Sequence, residues 1–133
     1  MRATLAAVSL GGVVGALGRH GLTILIPTPS GWPLGTFLVN VSGCLAMGVL
    51  LGYLARHRTP PLTQPFLGVG VLGGYTTFST YADETRGLLA DGRVTAAVLY
   101  VVASLVLGLA AVWVGLTVMR RAPRAAGNAG ETS

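Results

Sequence analysis

Residues 73 to 80 read Gly73-Gly74-Tyr75-Thr76-Thr77-Phe78-Ser79-Thr80, followed at once by Tyr81. Their hydroxyls donate hydrogen bonds without carrying charge. Phe78 and Tyr81 are three residues apart, so they share a face wherever a helix runs through them. An aromatic ring is positive at its edge and negative on its face. Such a pair can therefore meet an anion with no fixed cation, although packing in a core is its ordinary use. A Gly pair loosens a helix, and β-branched Thr disfavours one. A break between Gly73 and Thr77 would free backbone carbonyls, which suit a small hard cation such as sodium. One chain offers too few of them for a site; a two-fold partner would double the number.

Two other segments offer neutral donors. Thr36, Asn40, Cys44 and Gly48 recur at four-residue spacing and so lie on one helix face. The Asn40 amide is an uncharged donor competent for an anion. An interhelical hydrogen bond explains a lone Asn equally well. Tyr100, Ser104 and Gly108 repeat the pattern, with Ala111 and Gly115 continuing it. Helix contact explains each stripe taken alone. Three segments with neutral donors together point to a polar track.

These groups lie in a strongly apolar chain. Of its 133 residues 52% are hydrophobic and 10% charged, against roughly 25% charged in soluble domains. A spanning helix needs roughly 20 apolar residues. Four segments qualify, at about 5–26, 34–54, 65–89 and 94–119, within a membrane domain of residues 1–121. Residues 122–133 form a small, polar, Gly- and Ala-rich tail, expected to be disordered. The prolines at 27, 29 and 33 forbid helix between the first two segments. Trp32 and Trp113 fall near segment ends, as interfacial belt residues do. Gly11-x-x-x-Gly15, Gly12-x-x-x-Ala16 and Gly48-x-x-x-Gly52 suit close helix packing. A broken third helix at membrane depth survives only if it is buried in protein or lines a polar cavity.

Arg19 lies about four turns into the first segment. Either the helix ends near it, or it faces a wet vestibule, or it anchors at the interface. The first segment is too long for a cleaved signal peptide, and Arg19-His20-Gly21 is a poor cleavage site. The side shared by the N-terminus, second loop and C-terminus carries six Arg, against three on the other. That favours the N-terminus inside, but without the tail the sides balance. So weak a bias allows dual insertion or an oppositely oriented partner. The basic charge suits lipid headgroups better than nucleic acid.

Cys44 is the single cysteine, so no intrachain disulfide can form, and packing is its expected role. Asp83, Glu84 and Asp91 are expected at or beyond the end of the third segment, leaving no carboxylate in the membrane. No nucleophile–base pair, His/Cys cluster or phosphate loop is present, so an enzyme has nothing to stand on. A proton-coupled exporter of cationic drugs would need a carboxylate in the membrane. A purely structural subunit would leave the Thr/Ser/aromatic break without purpose.

Three runs resemble the Fluc (CrcB) fluoride channels: Gly11 to Arg19, Pro33 to Gly43, and, most specifically, Gly73 to Glu84. The resemblance extends over all four segments. It implies an all-α integral membrane protein with four transmembrane helices per subunit and the third broken. It further implies an antiparallel dimer of dual-topology type, a homodimer or a heterodimer with a sister chain, in a bacterial inner membrane. The implied function is passive, fluoride-specific export that lowers cytoplasmic fluoride and its toxicity. On the same footing Asn40, Phe78, Tyr81, Tyr100 and Ser104 would line the fluoride pore. The carbonyls of Gly73 and Thr76 would hold a structural sodium that is not transported. Arg19, Thr36 and Glu84 are vestibule candidates, with Glu84 equally placed to cap the interface. Tyr81 stands where the family often has Phe, and Gly108 where some members have Ser. Fluoride is small and strongly hydrated, and a narrow path of neutral donors would replace part of its shell yet release it.

Overall fold

A computed structural model describes residues 1–26 and 31–122. Pro27, Thr28, Pro29 and Ser30 of the proline loop, and residues 123–133 of the expected tail, lie outside the described residues. The described chain is helical: α1 (Arg2–Leu25), α2 (Leu34–Leu54), α3 (Gln64–Leu72), α4 (Gly73–Tyr75), α5 (Phe78–Ala90) and α6 (Val94–Arg121). Three of these, α1, α2 and α6, are long and apolar enough to cross a membrane. Their outward leucines and valines, such as Leu10, Leu17, Leu109 and Val114, are exposed, as lipid-facing residues are.

The helices pack as two pairs, α1 against α3 and α4, and α2 against α6. Small residues set both seams, because without a water-driven hydrophobic effect close contact must do the work. A Cβ on Gly15 would overlap the Val71 carbonyl, and one on Gly74 the backbone of Gly12. Across the other seam, a Cβ on Gly48 would overlap the Val112 carbonyl, and one on Gly115 the Leu45 carbonyl. The Arg56 guanidinium donates to the Met119 carbonyl and, at 2.6 Å, to that of Ala122, satisfying carbonyls left open at the end of α6.

The region after Pro65 departs from a simple helix. α3 is a π-helix of nine residues, far longer than the usual single-turn π-bulge. One α-turn follows, and then Thr76 (ψ 156°) and Thr77 (φ −145°, ψ 125°) are extended. Helix resumes at Phe78 because Thr77 caps it: its Oγ1 accepts from the Thr80 amide at 3.2 Å. The Thr76 hydroxyl donates back to the Leu72 carbonyl at 2.9 Å. Thr disfavours the helix interior and serves well at its ends, so residue type and geometry agree here.

Trp32 is half-buried rather than a free belt residue. Its ring packs on Phe37, with centroids 5.2 Å apart, and edge-on against Tyr100 at 5.4 Å. Together with Leu88 and Ala97 these rings form the core between α5 and α6. Trp113 is 67% exposed on α6, where a lipid contact is the natural use.

Candidate functional site: a polar path through the broken helix

The extended Thr76-Thr77 pair needs hydrogen-bond partners, since unpaired backbone in hydrocarbon is costly. Asn40 on α2 supplies them. Its Nδ2 donates to the Thr77 carbonyl at 3.0 Å, and its Oδ1 accepts from the Thr77 amide at 2.9 Å. One side chain thus pairs with the exposed backbone much as a neighbouring strand would. One Nδ2 proton stays uncommitted. Gly43, three residues along α2, makes the approach possible, because a Cβ there would overlap the Thr76 methyl.

The break also frees the two carbonyls expected to face a cation. In a continuous helix the Gly73 carbonyl would accept from the Thr77 amide, which here donates to Asn40. The Thr76 carbonyl would accept from the Thr80 amide, which here donates to Thr77 Oγ1. Carbonyl oxygen is the right donor for a hard monovalent cation, so the residues fit in kind. A single chain contributes too few of them, and Gly73 is exposed on its surface.

Two cavities flank Thr77, which lines both. The first, about 370 Å³, brings Asn40, Phe78, Tyr81 and Ser104 together from three helices, with Cys44 and Leu105. It holds no charged side chain. The Phe78 and Tyr81 rings sit 5.8 Å apart on one face of α5. Phe78 is 80% exposed on the single chain. Ser104 Oγ is buried with no hydrogen-bond partner among the described residues.

The second cavity, about 380 Å³, lies between α1, α2 and α5 and is lined by Arg19, His20, Thr36, Thr80 and Glu84 among others. α1 runs on through Arg19 to Leu25, so the Arg sits within the helix and lines a polar space. Its Nε is buried and has no hydrogen-bond partner among the described residues. Glu84, expected at or beyond the end of the third segment, stands mid-way along α5. Its carboxylate accepts from the Thr36 hydroxyl at 2.7 Å and from the Tyr100 hydroxyl at 2.8 Å. Two charge-assisted bonds in a partly buried setting tie α2, α5 and α6 together.

Tyr100 consequently stands apart from the other sites anticipated in the sequence. It is fully buried, its hydroxyl is committed to Glu84, and its ring packs 5.1 Å from that of Tyr81. It borders the aromatic wall from behind. The role of Glu84 as organiser was missed, although Phe78, Tyr81 and Glu84 at three-residue spacing already placed the acid on the aromatic face. Cys44, read as packing, is on the wall of the first cavity. His20, Thr77 and Thr80 were not singled out as vestibule residues. Adjacency to Arg19 and to the break was the only available signal.

Apolar spans, small-residue seams and an interrupted helix beside uncharged and charged cavities mark an integral membrane protein. Residues 6–116 match the family model described as CrcB-like protein, Camphor Resistance (CrcB), and the chain belongs to that family. Fluoride-specific ion channel FluC of Paracoccus denitrificans (strain Pd 1222) is 50% identical over 122 residues, covering 90% of this chain and 97% of that one. Fluoride-specific ion channel FluC 2 of Nocardia farcinica is 46% identical over 129 residues, covering 93% and 90%. Fluoride-specific ion channel FluC 1 of Streptomyces coelicolor is 44% identical over 119 residues, covering 88% and 77%. The family is one of channels in bacterial membranes, and the protein is not an enzyme.

Proposed function

We propose that this chain forms a fluoride-specific channel that lets fluoride leave the cytoplasm passively. The observation that carries the reading is the uncharged cavity where Asn40, Phe78, Tyr81 and Ser104 meet. A desolvated fluoride there would find an amide proton, a serine hydroxyl and ring edges. None of these binds so tightly that the ion could not move on. Tyr100, held by Glu84, fixes the Tyr81 ring and stiffens the wall. Arg19 in the neighbouring cavity would raise the local anion concentration at the mouth of the path.

In this reading the third span is the broken unit running from α3 through α5, which makes four spans per subunit. The working unit is an antiparallel dimer, a homodimer or a pair with a sister chain. The exposed Gly73 and Phe78 and the weak Arg bias support this. The Gly73 and Thr76 carbonyls, doubled by the partner, would hold a structural sodium that neutralises the freed backbone dipoles and locks the subunits.

The test is ion efflux from liposomes holding the purified protein. Fluoride release far above chloride release is expected; equal release, or none of either, sinks the reading. Replacing sodium throughout by N-methylglucamine should reduce both flux and dimer lifetime. Unchanged values would remove the sodium site while leaving the channel.

A further inference from the structure

We propose that the Cys44 thiol is a wall group of the ion path and fills the step of its donor track that Gly108 leaves bare; this rests on the anion-path reading above. Cys44 lies one helical turn beyond Asn40 on α2 and lines the same cavity. On the facing helix Ser104 lines that cavity too, and its buried hydroxyl oxygen has no hydrogen-bond partner among the described residues. One turn further along α6 comes Gly108, which is buried and has no side chain to offer. The atom nearest to where a Gly108 Cβ would stand is Cys44 Sγ, at 3.4 Å. The thiol from α2 therefore stands in contact distance of the place where a side chain from α6 would begin.

The order of polar groups along the cavity is then Asn40 and Ser104, followed by the Cys44 thiol. A thiol is a weak donor on a soft, polarizable atom. Beside hydroxyl and amide donors it holds a hard anion less firmly, which suits a step from which the ion must depart. A cysteine that merely packed between α2 and α6 would be sealed from water, whereas a wall cysteine can be reached from the path. Because it is the single cysteine, any thiol chemistry reports on this position alone.

The experiment begins with fluoride efflux from liposomes carrying the unmodified full chain. No efflux at that stage overturns the channel reading and this inference with it. If the chain conducts, methyl methanethiosulfonate is applied. It transfers CH3S to the Cys44 sulfur, forming a mixed disulfide and releasing methanesulfinic acid. We expect one adduct by intact mass, efflux lowered by at least about fivefold, the scale of one neutral hydrogen bond, and recovery with dithiothreitol. Cys44→Ser should abolish the response to the reagent. No adduct, or an adduct with undiminished efflux, overturns the inference while leaving the channel standing. In a second arm, Cys44→Ala should lower efflux by about fivefold. Cys44→Ala/Gly108→Ser should regain most of it by returning a hydroxyl from α6. A double variant no better than the single one counts against the proposal, and a variant that fails to assemble leaves the reagent arm on unmodified protein to decide.

Discussion

The two cavities on either side of Thr77 are nearly equal in volume and opposite in chemistry. One holds Arg19, His20 and Glu84 among hydroxyls; the other is walled by an amide, a thiol, a serine and two rings, with no charge. A full charge in a low-dielectric setting attracts a counter-ion strongly and releases it slowly. In the channel reading Arg19 would draw anions to the charged cavity, against the repulsion of Glu84, and the neutral cavity would pass them. The division between them is a stretch of extended backbone only two residues long, held by Asn40. If the two cavities do different work, damage to the neutral one should stop conduction, while damage to the charged one should tune it.

The largest effect is expected at Asn40, because it serves both the wall and the break. Asn40→Ala strands a donor and an acceptor of Thr77, at about 1–3 kcal/mol for each group left unsatisfied. Fluoride efflux should fall by about a hundredfold, the equivalent of two such losses. Thermal unfolding of the detergent-purified protein should also shift downward. Lost efflux with unchanged stability would show that the hydrogen bonds to Thr77 are dispensable and that the amide acts on the ion alone. Phe78→Ile should come next. The ring is exposed on the single chain, so the subunit keeps its packing while the pathway loses a ring edge. About a tenfold drop in efflux is expected, the upper end of an aromatic interaction of roughly 1.5 kcal/mol. Undiminished efflux would move the path away from the α5 aromatic face.

Glu84 belongs to the charged cavity but braces the wall of the neutral one, through Tyr100 and Tyr81. Glu84→Gln keeps the shape but only one acceptor oxygen, so one charge-assisted bond becomes an ordinary one and the other survives only if its hydroxyl turns to accept from the new amide. Efflux should fall by about threefold, within the range of one weakened hydrogen bond. Tyr100→Phe, which removes the same bond from the other end, should have a similar effect. The double variant should be little worse than either single one, as expected for groups acting through one contact. Additive losses would separate the two residues and place Glu84 directly on the ion.

The comparison also shows what a sequence reveals and what it hides. The seams were legible, because Gly spacing and helical pitch alone place Gly11 with Gly15 and Gly48 with Gly52. The break was legible only in part: Gly73 and Gly74 continue the helix to Tyr75, and the extended backbone is confined to Thr76 and Thr77. What spacing within a helix cannot give is register between helices. That Asn40 meets the Thr77 backbone, and not some other donor, depends on how α2 docks beside the break. Glu84 was expected at or beyond the end of the third segment because acids usually end spans; its partners, Thr36 and Tyr100, lie 48 and 16 residues away. Cys44 was assigned to packing for the same reason, as its neighbour across the cavity is a glycine on another helix. The π-helical run from Gln64 to Leu72 left no periodic signature, because a nearly uniform apolar surface looks alike at any pitch.

The smallest expected effect tests the charged cavity itself. Arg19 contributes its charge to a polar space and, among the described residues, its Nε has no hydrogen-bond partner. In the channel reading its action on an anion is long-range attraction more than fixed coordination. Such attraction is screened over about 10 Å at 0.1 M salt and about 3 Å at 1 M. Arg19→Gln should accordingly lower fluoride efflux by about twofold at low ionic strength and hardly at all near 1 M, where the wild-type advantage is screened away. Its selectivity against chloride should not change if the neutral cavity does the selecting. The decisive measurement is the ratio of wild-type to variant efflux across a salt series made with an impermeant anion. A ratio that stays constant from low to high salt would mean that Arg19 holds the ion by contact, and the division of labour between the two cavities would then have to be redrawn.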